Sequence, residues 1–408
     1  MTSIVIIGAG ECGGRAALSL RDRGFEGEIT LIGEEEHPPY ERPPLSKDGI
    51  VAGSDPRFVA TAADYAEKRI ELRLGVHATR LDRASRVVEL ADASRVPFTK
   101  LLLATGARAR SLAVDQLDNP RVLSLRTHGD ARRIREHLRS NSRLAILGGG
   151  FIGLELAASA RRLGASVVLL EGLPRILSRG VPFAVAEAIA ARHAAEGVEI
   201  ICNARMETLS GSDNDVKLVL SDGRLIEADI LVVGIGSIPN VELAADAGLA
   251  VENGVAVDRH LQTSDPNIWA AGDCCSFPLV HHADRRVRLE SWRSAQEHAA
   301  IAAANLLGGS ESVSAVPWFW SDQYDMTLQV AGLSTGAARS VRRDLGADAF
   351  IVFEMAEDGR LLSASGIGPG NAVARDIRLA EMLIASGRGF DEAALASPDI
   401  RLKALLAA

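Results

Sequence analysis

Apolar and polar positions fall in blocks along this chain, and the blocks repeat. Ser3 to Ile7 is a short, mostly apolar run, the pattern of a strand covered on both faces. It leads into Gly8-Ala9-Gly10-Glu11-Cys12-Gly13, a helical stretch from Arg15 to Arg23 and a second apolar run from Ile29 to Ile32. The same order returns later: Leu144 to Leu147, then Gly148-Gly149-Gly150-Phe151-Ile152-Gly153, a helix from Leu154 to Leu163, Gly164, and a strand from Ser166 to Leu170. Each copy reads as strand, glycine turn, helix, strand. Leu101 to Gly106 and Ile230 to Gly236 are further apolar strands that end in glycine, as buried strands crossing between domains do. Thr263 to Asp273 adds another strand with a Gly-Asp end. Beyond Pro317 the character changes to Trp318 and Trp320, alternating apolar strands near Phe350 to Phe353, and a helix around Ala372 to Ala385. The pattern predicts an α/β fold: two dinucleotide-binding, Rossmann-like domains plus a C-terminal α/β domain. The expected boundaries are 1–107 with 236–314, 108–235, and 315–408.

Composition narrows the class. The chain has 408 residues, enough for two or three domains with a sizeable core, and 47% hydrophobic with 24% charged residues is a globular balance. No run of 18 apolar residues predicts a membrane helix. A net charge of −8 argues against a nucleic-acid partner. Residues Met1 to Gly8 pass directly into a strand with no basic leader, and Cys12, Cys202, Cys274 and Cys275 form no disulfide framework, so a cytoplasmic location is expected. No metal site is expected, and nothing marks a dimer face.

The glycine turns carry the first chemistry. A turn of this kind lets backbone N–H groups approach a pyrophosphate, and the helix that follows adds its positive end. In the first copy Gly8, Gly10 and Gly13 are the expected contacts, and in the second Gly148, Gly150, Ile152 and Gly153. An acid at the end of the second strand accepts from ribose hydroxyls and repels a 2′-phosphate. Glu171 fills that place in the second unit and points to NADH, although Arg175 and Arg179 nearby could accommodate the extra phosphate. In the first unit Glu34 is the choice, with Glu35 and Glu36 read as a solvated charge run. Tyr40-Glu41-Arg42-Pro43-Pro44-Leu45-Ser46-Lys47 presents two cations on a backbone stiffened by proline, suited to a diphosphate or to an electron-rich ring.

Five ordered motifs then make the chain resemble the FAD-dependent ferredoxin reductases of the putidaredoxin reductase and biphenyl-dioxygenase ferredoxin reductase type, also similar to apoptosis-inducing factor. They are Arg42-Pro43-Pro44-Leu45-Ser46-Lys47, Ala104-Thr105-Gly106, Gly148 to Glu155, Gly234-Ile235-Gly236-Ser237-Ile238-Pro239-Asn240, and Ile268-Trp269-Ala270-Ala271-Gly272-Asp273. The likeness extends to Pro317-Trp318-Phe319-Trp320-Ser321-Asp322-Gln323. It implies a glutathione-reductase-like architecture with FAD in the first unit (1–107 and 236–314) and NADH in the second (108–235). By that resemblance Asp273 binds the FAD ribitol, Lys47 lies by flavin N5, and Glu155 lies near Lys47 and the nicotinamide. It also places Arg42, Val76, Ala104, Thr105, Gly106, Arg126 and Trp292 on FAD, Trp320 beside the isoalloxazine, and Gly236 and Arg179 at NADH. Trp318 is expected to pack. The family pattern commonly has a proline after Ala-Thr-Gly, where this chain has Ala107-Arg108-Ala109-Arg110.

What is missing sets the subclass. Disulfide reductases of this architecture pass electrons through a closely spaced C-x₄-C pair, and none exists here. Cys12 sits inside a glycine turn and reads as packing, and Cys274-Cys275, placed at an expected helix start, as inert thiols. Hydride from NADH is therefore expected to reach flavin N5 with no protein nucleophile. Electrons are then expected to leave singly to a small acidic [2Fe-2S] ferredoxin serving a Rieske dioxygenase or cytochrome P450. Arg285, Arg286, Arg288 and Arg293, with Arg339, Arg342 and Arg343, could dock it or simply be solvated. The competing readings are a rubredoxin or monodehydroascorbate-type reductase and a redox-sensing flavoprotein.

Overall fold

Contacts within the chain divide it into two units, and the chain passes between them repeatedly. The first comprises Met1–Arg42, Pro56–Arg108 and Ile238–Ala315, and the second Pro43–Asp55, Ala109–Ser237 and Val316–Ala408. The computed structural model describes residues 2–112, 119–346 and 348–407.

The first unit is built on a five-stranded parallel sheet in the order Ile268–Ala270, Lys100–Leu103, Ser3–Ile7, Glu28–Ile32, Ile70–Arg73. Its central strands are buried on both faces, which is why they read as continuous apolar runs. The helices Glu11–Asp22 and Trp292–Leu306 pack together on it, and both use small buried residues at their contact, Ala16 and Ala17 on one and Ala295, Ala299, Ala302 and Ala303 on the other. A three-stranded antiparallel sheet, Ala78–Asp82, Val87–Leu90 and Arg95–Pro97, sits between the third and fourth strands in sequence.

The second unit repeats the plan. Its parallel sheet runs Val198–Ile201, Ser166–Leu170, Arg143–Leu147, Ile230–Val233, Val122–Ser124, again with a three-stranded antiparallel insertion, Met206–Ser212, Asp215–Leu220 and Leu225–Ala228. The copies agree in detail: Gly8 N–H donates to Ile32 O and Gly148 N–H to Leu170 O, both at 2.8 Å. Ala104 N–H to Ile7 O and Gly234 N–H to Leu147 O are both 2.7 Å. A second, antiparallel sheet of five strands (Trp318–Gln323, Met326–Gly332, Leu361–Pro369, Phe350–Met355, Arg339–Asp344) completes this unit. The helix Ala374–Ala385 covers it with Ile377, Ala380, Leu383 and Ile384, a spacing that keeps one stripe on the sheet.

Three local expectations change. The two helices after the glycine turns start earlier, at Glu11 and Phe151, because Gly10 and Gly150 are themselves the N-caps. Cys274-Cys275 does not begin a helix. Gly272 has φ +79° and leads into a short 3₁₀ turn, Gly272–Cys274, after which Cys275–Leu279 is extended, buried at Cys275, Phe277 and Leu279.

Candidate active site

The two glycine turns form cradles of the same shape. Gly8 and Gly148 have φ near +115° (+114° and +116°), and a Cβ would fall 2.1 Å from Ala104 O and 2.3 Å from Gly234 O. A Cβ on Gly13 or Gly153 would strike the carbonyl of Gly8 or Gly148 at 1.9 or 2.3 Å. Over Gly10 and Gly150, by contrast, a Cβ would meet nothing within 4 Å. Backbone is thus packed against backbone beneath each turn and open above it, where the first N–H groups of a 12-residue helix have no intrahelical acceptor. Each cradle fits a pyrophosphate.

The acids beside the cradles differ. Glu171 Oε2 accepts from Gly149 N–H at 2.7 Å and Oε1 from Leu173 N–H at 2.8 Å, so its carboxylate is fixed against the glycine turn. Arg175 spends its guanidinium on the carbonyls of Ile176, Leu177, Ser178 and Val181. Arg179 and Ile152 are exposed, and Gly236, with φ +109°, accepts from Arg110 N–H. In the first unit the position matching Glu171 in register is Gly33, since Gly33 N–H donates to Arg73 O as Glu171 N–H does to Ile201 O. Glu34 is one residue further and exposed, and Val76 N–H donates to the Gly33 carbonyl beside it. Glu35, expected with Glu36 to be solvated, instead receives Tyr40 Oη at 2.5 Å and Arg42 Nη2 at 2.9 Å. A buried tyrosine and a guanidinium lying 5.5 Å over its ring draw that carboxylate in.

The loop Ala104-Thr105-Gly106 lacks the family's following proline and is pinned otherwise. Thr105 Oγ1 donates to Asn240 O at 2.6 Å, Asn240 Nδ2 to Thr105 O at 2.8 Å, and Arg108 reaches Asn240 Oδ1 and Glu242. Asp273 follows Gly272, whose N–H donates to the buried His298 Nδ1 at 3.2 Å. Burial pushes His298 down to about 4. Trp292 opens its helix under the guanidinium of Arg15. Cys12, Cys274 and Cys275 are free and buried, and burial pushes all three thiols up, away from reactivity.

In the second unit, short elements bring Lys47, Glu155 and Trp320 together. The turn Pro43–Ser46 and the helix Asp48–Val51 present Lys47, and Arg135 holds that helix by donating to Ile50 O and Val51 O. Lys47 Nζ is 3.0 Å from Glu155 Oε1 and 5.9 Å from the centroid of Trp320. Glu155 is buried and also accepts from Ser46 Oγ at 2.5 Å and Ser321 Oγ at 2.7 Å, while Ser159 Oγ ties down the Ser46 carbonyl at 2.6 Å. Trp320 stacks on Trp318 at 5.5 Å and donates from Nε1 to Asp322 at 2.9 Å, and Trp318 packs on the sheet core. Arg126, at the start of the helix His128–His137, donates its N–H to Asp130. Motif reading did not mark Ser46, Ser321 or Asn240 as contacts, since a hydroxyl or amide has no signature until the fold supplies its partner.

Two family profiles match the chain: pyridine nucleotide-disulphide oxidoreductase over residues 2–299 and reductase C-terminal over residues 318–406. The chain is similar to the ferredoxin–NAD(+) reductase component of the anthranilate 1,2-dioxygenase system of Burkholderia cepacia, 41% identical over 408 residues and 98% of each chain. It is 42% identical over 355 residues to rhodocoxin reductase of Rhodococcus erythropolis, 86% of this chain and 83% of that one. Among solved structures it is similar to putidaredoxin reductase in covalent complex with putidaredoxin, with a TM-score of 0.94 and 35% identity over 100% of this chain and 98% of that one.

Proposed function

The chain belongs to the pyridine nucleotide-disulphide oxidoreductase family, and from that premise we propose that it is an NADH-dependent reductase of a small [2Fe-2S] ferredoxin. FAD is its cofactor and NADH its reductant. Bound FAD supplies what side chains cannot, taking two electrons as hydride and giving them up singly.

The chain's own residues bind, orient and balance charge. Gly8, Gly10 and Gly13 hold the FAD pyrophosphate, with Glu34, Arg42, Val76, Ala104, Thr105, Gly106, Arg126, Asp273 and Trp292 around the rest. Gly148, Gly150, Ile152 and Gly153 hold the NADH pyrophosphate, Glu171 the ribose, and Arg179 and Gly236 its flanks. Lys47 brings a cation to the reacting edge, Glu155 fixes it there, and Trp320 covers it. The observation that carries this reading is the Lys47–Glu155 pair in a chain whose four cysteines are all free. With no thiol pair to carry them, electrons leave from the cofactor to a protein partner. Segments 1–107 and 236–314 then serve FAD, 108–235 NADH, and 315–408 forms the C-terminal domain.

The partner in this reading serves an oxygenase system, a Rieske dioxygenase or a cytochrome P450, which relatives named as components of dioxygenase systems support. Among the described residues no helix is long and apolar enough to cross a membrane. A cytoplasmic location suits the four unpaired cysteines. Anaerobic titration of the FAD-loaded protein with NADH and NADPH, followed by candidate ferredoxins and a rubredoxin, tests the assignment. Equal reduction by NADPH would overturn the reading of Glu171, and a reduced protein that only rubredoxin reoxidises would overturn the partner.

A further inference from the structure

Glu155 ends a hydrogen-bond chain that runs well beyond Lys47. Tyr324 Oη is 3.1 Å from His193 Nδ1, and His193 Nε2 is 2.8 Å from Gln323 Oε1. Gln323 Nε2 donates to Ser321 Oγ at 3.1 Å, and Ser321 Oγ donates to Glu155 Oε1 at 2.7 Å. The sense of the chain is dictated by its members. An amide oxygen only accepts, so His193 carries its proton on Nε2, and Nδ1 is left to accept from Tyr324. An amide nitrogen only donates, so Ser321 oxygen receives it and turns its single proton to Glu155. Ser46 gives its own proton to the other oxygen, and Lys47 completes the set. Three donors thus converge on one carboxylate and fix its orientation.

His193 has 0% exposure, and burial pushes it below the ordinary histidine value. The charged groups facing it are Arg192 and Glu196 from its own helix and neighbouring turn, and Tyr324 and Asp325 from the opposing hairpin. Arg192 binds both Glu196 and Asp325, so both carboxylates are paired and the three carry one net negative charge. The cavity beside Arg192, His193, Ser321, Gln323 and Tyr324 measures about 10 Å³, room for a single water. Bulk solvent therefore does not replace these partners.

We propose that His193 is a positioning residue for the reaction: held as the neutral Nε2–H tautomer, it sets the direction of the Gln323 and Ser321 hydrogen bonds and so keeps the Glu155 carboxylate turned to Lys47. The proposal rests on the reading of Lys47 and Glu155 as the pair at the reacting edge.

Histidine-selective ¹⁵N NMR of the FAD-loaded protein, with His193→Gln as the assignment control, reads the tautomer. A protonated Nε2 and bare Nδ1 are expected at neutral pH. A protonated Nδ1 or an imidazolium at neutral pH would overturn the proposal. In His193→Leu, which removes the donor, the Glu155 carboxyl ¹³C resonance, assigned with Glu155→Gln, should shift at neutral pH. Flavin reduction by NADH, read without ferredoxin, should slow several-fold with it while the NADH Kd stays constant. His193→Gln keeps an N–H near the Nε2 position and should restore both. Should His193→Leu fail to fold, Gln323→Glu poses the same question, because a carboxylate cannot donate to Ser321. An unmoved Glu155 resonance in a folded variant would overturn the proposal. A wild-type protein that NADH does not reduce would sink the functional reading instead, and the tautomer and the Glu155 resonance would still decide the positioning.

Discussion

At the scale of single residues, the two nucleotide cradles differ most in their acids. Glu171 is held by two backbone N–H groups, so in the proposed role it would meet a ribose without reorganising, and Arg175 is occupied by backbone carbonyls. Removing the carboxylate should therefore cost NADH binding and admit NADPH. Glu171→Ala is expected to raise the NADH KM roughly 10-fold, about the worth of one charge-assisted hydrogen bond, and to narrow the NADH-to-NADPH ratio of kcat/KM in steady-state assays. Lys47 is a second case. Its loss leaves Glu155 buried with two hydroxyl donors but no cation, a costly state for a charge. Lys47→Ala should slow stopped-flow reduction by NADH about 10- to 100-fold while the visible flavin spectrum shows FAD still bound. An apoprotein from that variant would place Lys47 in FAD retention rather than in the reaction. The glycine turns and the place of Glu171 beside one of them were legible in the sequence because their geometry is local. Ser46, Ser321 and Gln323 were not, because each acquires its partner only when distant segments meet.

The structural elements explain both where pattern reading succeeds and where it slips. Parallel-sheet strands such as Ser3–Ile7 and Ser166–Leu170 match their runs end to end, since after the opening serine no polar position interrupts either of them. Helix starts slipped because glycine caps carry no capping side chain to read. The Cys274-Cys275 segment slipped because a positive φ at Gly272 turns the chain before a helix can form. Gly153→Ala tests the turn itself: with backbone 2.3 Å from the new Cβ, NADH affinity should fall more than about 10-fold in equilibrium titration while FAD stays bound. His298 supports the Gly272 turn from below through its unprotonated Nδ1. Its folded value of about 4 lies below the unfolded 6.5, so its contribution is full above pH 6.5 and is lost as pH falls from there toward 4. The loss is on the order of 3 kcal/mol, and urea unfolding at intervals across that range should reveal it, with a flatter profile in His298→Gln.

For the molecule as a whole, the repeat was legible because each copy keeps its own strand–turn–helix pattern, whereas the use of its cations was not. Arg286, Arg288 and Arg343 turn inward onto carbonyls, and Arg339 and Arg342 onto carboxylates, leaving Arg285 exposed at the end of the basic stretch. A ferredoxin that uses this face should feel Arg285→Glu. Its KM is expected to rise several-fold at low salt, and the gap should close as added salt screens the charges, measured by ferredoxin reduction at several ionic strengths. The interleaving of the two units has one more result, for the order in which the protein comes into being. The strands of the second unit's parallel sheet are all made by Val233, but the first unit's sheet waits for Ile268–Ala270. On a chain growing from the ribosome, the second unit's parallel sheet therefore has all its strands before the first unit's does, although the first unit's opening strand is made first.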